Sequence, residues 1–126
     1  MGGLTSARAV TFVLTRDREA SKAFYTATLG LPLVADDPFA SVLDMNGTIL
    51  RITQIDGYVA SPHPVLGWQV PDIAQAIADL TGKGVTMTIY EGYDQDAMGV
   101  WTAPDGKAKV AWFPDPDGNV LSLTES

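Results

Sequence analysis

The sequence predicts an α+β fold: two tandem βαβββ modules forming a curved, barrel-like mixed sheet with helices outside. Three observations carry that reading. The closing stretch, Val110 to Glu125, reads as strand, tight turn, strand. A strand, a capped helix and further strands run twice along the chain, and an internal repeat of this length defines an architecture. The two passes also align, with Asn46-Gly-Thr-Ile-Leu-Arg-Ile-Thr-Gln54 over Asp117-Gly-Asn-Val-Leu-Ser-Leu-Thr-Glu125. That alignment sets Arg51 against Ser122 and Val10 against Val65.

Each element has a local cause. Arg8 to Thr15 is apolar and rich in β-formers, and reads as a strand. Asp17 is an N-cap. Ala20, Phe24 and Ala27 recur at helical spacing and are the expected buried stripe. Gly30 ends that helix and Pro32 confirms the stop. Short strands are expected over Leu31 to Ala35 and Ala40 to Leu43, and Asn46-Gly47 is a hairpin signal before a strand over Thr48 to Ile55. Residues 57–63, rich in Gly, Ser and Pro, form a linker between a first module at 8–56 and a second at 64–125. In the second, Pro64 to Val70 is a strand and Asp72 caps a helix. Ile73, Ala76, Ile77 and Leu80 give its stripe, with Gln75 placed for a capping-box return bond. Strands follow over Val85 to Tyr90, Val100 to Thr102, Lys107 to Phe113 and Val120 to Thr124. Asp117-Gly118 reads as a two-residue turn, with Leu121 and Leu123 on one face of the closing strand and Val120, Ser122 and Thr124 on the other.

The totals exclude several functions. A chain of 126 residues is one domain of ordinary size, or two small fused modules. It has no cysteine, so disulfides, thiolate metal sites and Cys nucleophiles are ruled out. The net charge of −7, without a Lys/Arg cluster, repels phosphates and argues against a nucleic-acid partner. No apolar run reaches the roughly 18 residues of a membrane span, and the N-terminus lacks the pattern of a secretion signal. The expected location is cytoplasmic. No Walker loop, Gly-rich nucleotide fingerprint or spaced Ser/His/Asp set is present.

Two stretches give the chain a family resemblance. Asp17-Arg-Glu-Ala-Ser-Lys-Ala-Phe-Tyr-Thr-Ala-Thr-Leu-Gly-Leu31 is similar to the first helix and its exit in the vicinal oxygen chelate superfamily. Phe113-Pro-Asp-Pro-Asp-Gly-Asn119 is similar to that superfamily's last hairpin. Its members include glyoxalases, extradiol dioxygenases and bleomycin resistance proteins. The resemblance covers residues 8 to 125 and implies a divalent ion held by His and Glu from the first and last strands of each half. Carried onto this sequence, those positions fall on Val10, Arg51, Val65 and Ser122. Valine has no donor atom, arginine repels a cation and serine is a poor neutral ligand. A one-residue slip would send any substitute to the other sheet face. The expectation is therefore no metal and no cofactor. His63, the only histidine, lies between Pro62 and Pro64 in the linker.

If each helix covers one sheet face, the other face lines a cavity that neither half closes alone. Alternation puts Val10, Phe12 and Leu14 there, with Ile49, Arg51 and Thr53, then Val65, Gly67 and Gln69, then Val120, Ser122 and Thr124. This mostly apolar inventory suits a small-molecule pocket. The candidate ligand-binding residues are Arg51, Ser122, Trp101, Phe12, Tyr90 and Gln69. Arg51 clamps an anionic group in this reading, or else pairs with Glu125, Asp56 or another acid. Trp101 and Trp112, with Tyr90 and Tyr93 near the loop before them, lie in a region that the resemblance places at the cavity border. There they stack on a flat or cationic ligand, Trp101 first, or else pack the core or a dimer face. Trp68 is expected to face the second helix. Asp36, Asp37 and the acids of the loop Glu91 to Met98 either rim the cavity or are solvated loop tips. The function expected first is metal-free binding of a small ligand. The alternatives are a lyase, isomerase or dioxygenase with a non-standard site, and an interaction domain whose cavity is self-filled. The resemblance also implies a homodimer.

Overall fold

The computed structural model describes residues 3–126. The chain divides into two compact units, Met1–Val59 and Ala60–Ser126, each with one four-stranded mixed sheet. Neither sheet closes on itself. The first unit runs β1 (Val10–Thr15), α1 (Arg18–Ala23), β2 (Leu33–Asp36), β3 (Ser41–Met45) and β4 (Thr48–Gln54). The second runs β5 (Pro64–Gln69), α2 (Ile73–Gly82), β6 (Trp101–Thr102), β7 (Lys109–Pro114) and β8 (Val120–Glu125). The spatial orders are β1-β4-β3-β2 and β5-β8-β7-β6. In each, the first strand pairs in parallel with the last, and the rest of the sheet is antiparallel. The tandem βαβββ arrangement of an α+β fold is therefore present.

In the first unit, alternation buries Val13 on β1 and Leu50 and Ile52 on β4, and α1 packs against β4. Each such side chain contributes roughly 1.5–3 kcal/mol on burial. Asp17 caps α1, its Oδ1 accepting from Ala20 N–H at 3.2 Å. The chain then continues as a π turn over Phe24–Thr28. The buried stripe is Ser21 and Tyr25, one α-turn apart, where Ala20, Phe24 and Ala27 were expected. Apolarity pointed to the alanines, but the large Tyr25 ring takes the core position and Phe24 stands edge-on to it at 5.3 Å. Ser21 Oγ is buried without a hydrogen-bond partner, a cost of about 1–3 kcal/mol. Leu31 N–H bonds Tyr25 O at 3.0 Å across Gly30, whose φ of 77° ends the helical path. Asn46 and Gly47, at φ of 53° and 102°, form the predicted hairpin turn.

A polar lock joins α1 to the β2–β3 hairpin. Arg18 donates to Asp36 Oδ1 at 2.6 Å, to the carbonyls of Asp37 and Ala40, each at 2.5 Å, and through Nε to Ser41 Oγ at 2.9 Å. Lys22 Nζ meets Asp36 Oδ2 at 2.7 Å. The Asp36 carboxylate is thus tied to Arg18 and Lys22, and the Asp37 carboxylate to the N–H groups of Phe39 and Ala40, rather than free at a rim.

In the second unit, α2 packs against β7 and β8, with Ile73 and Ile77 buried. Asp72 caps it, joined by Glu125, whose Oε1 accepts from Ile73 N–H at 2.8 Å. The Gln75 side chain runs forward to Asp79 at 2.9 Å instead of returning to the cap. Trp68 stacks on Phe113 with centroids 6.4 Å apart, on the side of Leu121 and Leu123. Val85 to Tyr90, expected as a strand, is irregular. One bond, Thr88 N–H to Trp112 O at 2.8 Å, ties it to β7, and a glutamine side chain takes over the remaining pairing. The closing turn is also longer than two residues. Gly118 N–H bonds Asp115 O, which centres the turn on Pro116-Asp117 and puts Gly118 at φ 86°.

The lock predicts a pH dependence. The Lys22 ammonium, the Ser41 hydroxyl and the Arg18 guanidinium hold the Asp36 carboxyl well below the usual carboxylate range. A depressed folded-state pKa adds stability above the ordinary value near 4, and that stability is lost as pH falls below it. Urea midpoints of the wild type should begin to drop as pH falls below about 5 and should keep dropping below about pH 3. Asp36→Asn should be less stable at neutral pH and show a shallower acid limb. Parallel limbs would remove Asp36 from the acid response.

Candidate functional site

The open face of the second unit's sheet carries the denser constellation. β8 presents Val120, Ser122 and Thr124 away from the core, and β5 presents Gly67 and Gln69 in register with Ser122 and Thr124. On the other side of β8, Trp112 of β7 lies opposite Ser122. Gly67 is dictated by this packing, because a Cβ there would lie 2.4 Å from Ser122 Oγ. The hydroxyl therefore leans along the sheet over Gly67.

Trp112 anchors an aromatic group. The Tyr90 ring meets it edge-on at 5.5 Å and Tyr93 at 6.0 Å, while the two tyrosines are 5.4 Å apart. Gln95 sets the tyrosines there. Its Oε1 accepts from Tyr90 N–H at 2.8 Å, and its Nε2 donates to Thr88 O at 3.0 Å and Gly99 O at 2.7 Å. One side chain thus replaces the ladder that the irregular 85–90 segment lacks. Asp96 does similar work, accepting from the N–H groups of Met98 and Val100, each at 2.9 Å.

Tyr90 also lines a cavity of about 380 Å³ with Pro62, Thr88, Pro114 and Val120. That size suits a small organic molecule. The turn after β7 contributes Gly118 to the lining and is held in place from within. Buried Asp115 accepts at Oδ1 from the N–H groups of Asp117 and Asn119, each at 2.9 Å, and at Oδ2 from Asn119 Nδ2 at 2.8 Å. A second cavity, about 420 Å³, lies on the helix side between α2 and the 85–98 segment, lined by Ile77, Val85, Met87 and Met98 among others.

The expected site residues separate by unit. Tyr90 and Ser122 lie close to Trp112, which was expected at the cavity border beside Trp101 but ranked behind it as a ligand contact. Trp101 pairs with Val110 and bridges Gln95, outside the ring contacts of the aromatic group. Gln69 Nε2 donates to Ser126 Oγ at 3.1 Å. His63 is exposed, its N–H on Ser61 Oγ. In the first unit, Phe12 and Arg51 are register partners on the open face of β1 and β4. Arg51 pairs with Asp37, Nη2 to Oδ2 at 3.7 Å, and not with Glu125 or Asp56. Glu125 instead faces Lys109 at 3.9 Å. Gln95 and Asp115 escaped the sequence reading because their function is local backbone support, which has no periodic signature. The Asp-Pro-Asp-Gly-Asn string was the available signal for Asp115.

The tandem βαβββ class now has a family. The family model described as the Glyoxalase/Bleomycin resistance protein/Dioxygenase superfamily matches residues 8–123, and the chain belongs to that superfamily. Among solved structures, a superfamily member from Sphaerobacter thermophilus shares 26% identity at a TM-score of 0.75, over 98% of this chain and 99% of its own. A glyoxalase family protein from Bacillus anthracis has a TM-score of 0.75 at 14% identity, over 100% and 99%. A member from Alicyclobacillus acidocaldarius has 0.73 at 19%, over 95% and 91%. No curated protein matches the chain.

The divalent ion that the resemblance implies does not fit the side chains here. Val10 and Val65 offer hydrocarbon, Ser122 Oγ leans on Gly67, and Arg51 brings a positive charge already paired with Asp37. Among the described residues, no group of three or more His, Asp or Glu converges.

The Ser122 geometry is testable by stability. Gly67→Ala should cost roughly 1–3 kcal/mol, because the new methyl overpacks the strand pair. Much of that cost should vanish in a Ser122→Ala background, giving a coupling of about 0.5 kcal/mol or more in a double-mutant cycle. Additive costs would mean that Ser122 Oγ does not occupy the space over Gly67.

Proposed function

We propose that this chain is a metal-free small-molecule-binding protein that takes a flat organic ligand against the open face of the second unit's sheet. The observation that carries the reading is the side-chain set at the four ligand positions of the family, Val10, Arg51, Val65 and Ser122, which cannot coordinate a divalent ion. The aromatic group of Tyr90, Tyr93 and Trp112 supports it. Rings held edge-to-face form a rigid apolar surface at low ordering cost. Ser122 and Thr124 supply a few hydroxyls beside that wall, the usual mix of a binding pocket.

The test combines metal content with ligand screening. Protein purified without chelator should hold far less than one transition-metal ion per chain, and Mn²⁺, Ni²⁺ or Zn²⁺ should leave its melting midpoint unchanged. A panel of flat heteroaromatics should contain compounds that raise the midpoint by mass action, and Trp112→Leu should abolish that rise. One tightly held transition-metal ion per chain would overturn the reading.

The family resemblance leads us to propose a homodimer as well. Light scattering should return twice the chain mass of 13.4 kDa. A single species at the chain mass would contradict it.

A further inference from the structure

We propose that Arg51 and Phe12 form a binding site for aromatic carboxylates on the first unit's sheet, and that Asp37 acts as a built-in competitor for it. Its residues belong to the first unit, and those of the aromatic group belong to the second. Arg51 sits in mid-strand on β4, with Phe12 beside it in register on β1 and Val42 on β3. Val10 and Ile49 are the next pair along the same face. A cation is an unusual choice among such neighbours, and the side chain stays one-third exposed at 33%. Phe12 is 60% exposed, so its ring is open to a partner.

Arg51 is poorly satisfied by what surrounds it. Its contact with Asp37 spans 3.7 Å, beyond hydrogen-bond distance. That pair cannot tighten easily, because Asp37 is fixed from two other sides. Its Oδ1 accepts from Phe39 N–H and Ala40 N–H, each at 2.8 Å, and Arg18 Nη2 grips its carbonyl. Backbone hydrogen bonds from Phe39 and Ala40 hold the Asp37 carboxyl below its ordinary range, so it stays charged at neutral pH. Arg18 shows what a satisfied guanidinium looks like here, with four partners within 2.9 Å. Arg51 keeps most of its planar fork of N–H donors available, and a carboxylate can accept two of them in parallel. An aryl group on that carboxylate would lie over Phe12, within a chain whose net charge of −7 disfavours anions elsewhere.

The probe is 2-naphthoate, with the neutral 2-naphthalenemethanol as control, followed by amide shifts of the isotope-labelled full chain. Naphthoate should shift amides around Phe12 and Arg51, and the alcohol should bind at least tenfold more weakly. Arg51→Gln should weaken naphthoate at least tenfold. Asp37→Asn keeps an oxygen for the Phe39 and Ala40 N–H groups but removes the competing charge, and should tighten naphthoate about threefold or more. Melting curves and the unliganded amide spectra confirm that both variants fold. Equal binding by wild type and Arg51→Gln overturns the proposal, as does an Asp37→Asn variant that binds no better. Naphthoate binding lost in Trp112→Leu but kept in Arg51→Gln would also overturn it, while leaving the aromatic wall as the ligand site.

Discussion

The register of the last strand against the first, within each unit, is the constraint on which the rest depends. β1 and β4 run in parallel with Val10 on Ile49 and Phe12 on Arg51, and β5 and β8 with Gly67 on Ser122. Side chains alternate with period two, so this pairing decides which residues reach the helix and which stay on the open face. Val13, Leu50, Ile52, Leu121 and Leu123 are buried as a consequence. A slip of one residue would bury Arg51 and Ser122 and expose that whole set. The apolar burial that fixes the fold therefore also fixes the open-face chemistry.

Two arginines of the first unit illustrate how differently one residue type is used. Arg18, at the start of α1, is bound through both Nε and Nη2 and holds the β2–β3 hairpin to the helix. It also takes the Asp37 carbonyl, and the loop's own N–H groups take one Asp37 oxygen. Arg51 is left with the remaining oxygen at long range. The lock that stabilises the hairpin is thus also what keeps Arg51 only loosely paired. Structure and the proposed anion site share one set of acids, and the first claim on them is structural.

Much of the fold was legible in the sequence, because its signals are local and steric. Asn46-Gly47 turns with positive φ at both residues, and Asp17 and Asp72 cap their helices as their positions suggest. The closing strand alternates as read, since Leu121 and Leu123 differ sharply in polarity from Ser122 and Thr124. Where several solutions had similar local cost, the sequence did not decide. The α1 stripe falls on Ser21 and Tyr25 because tertiary packing of one large ring outweighs three small or half-buried apolar residues. Val85 to Tyr90 has strand-like composition, yet Gln95 supplies its partners from a side chain. Of the candidate site, the open-face residues followed from alternation. The aromatics Tyr90, Tyr93 and Trp112 were expected near the cavity by resemblance, but their mutual contact, without Trp101, was not, because it crosses a loop whose path no periodicity specifies.

The four positions onto which the resemblance carries the family's ligands, Val10, Arg51, Val65 and Ser122, raise a question of charge. A divalent ion gathers carboxylates and imidazoles around it, and without them the same positions must be satisfied otherwise. Two are valines, which make the face more apolar. One is a serine whose hydroxyl is steered by a glycine partner. The fourth is Arg51, which carries the sign of the ion without its coordination demands. A guanidinium and a divalent cation repel each other, so the position that carries Arg51 cannot serve both. A guanidinium attracts anionic oxygen as a metal does, but supplies neither Lewis acidity nor an activated water. In the proposed reading that difference favours holding a ligand over transforming it. It is the physical reason for reading this chain as a binding protein within a superfamily whose fold also hosts enzymes.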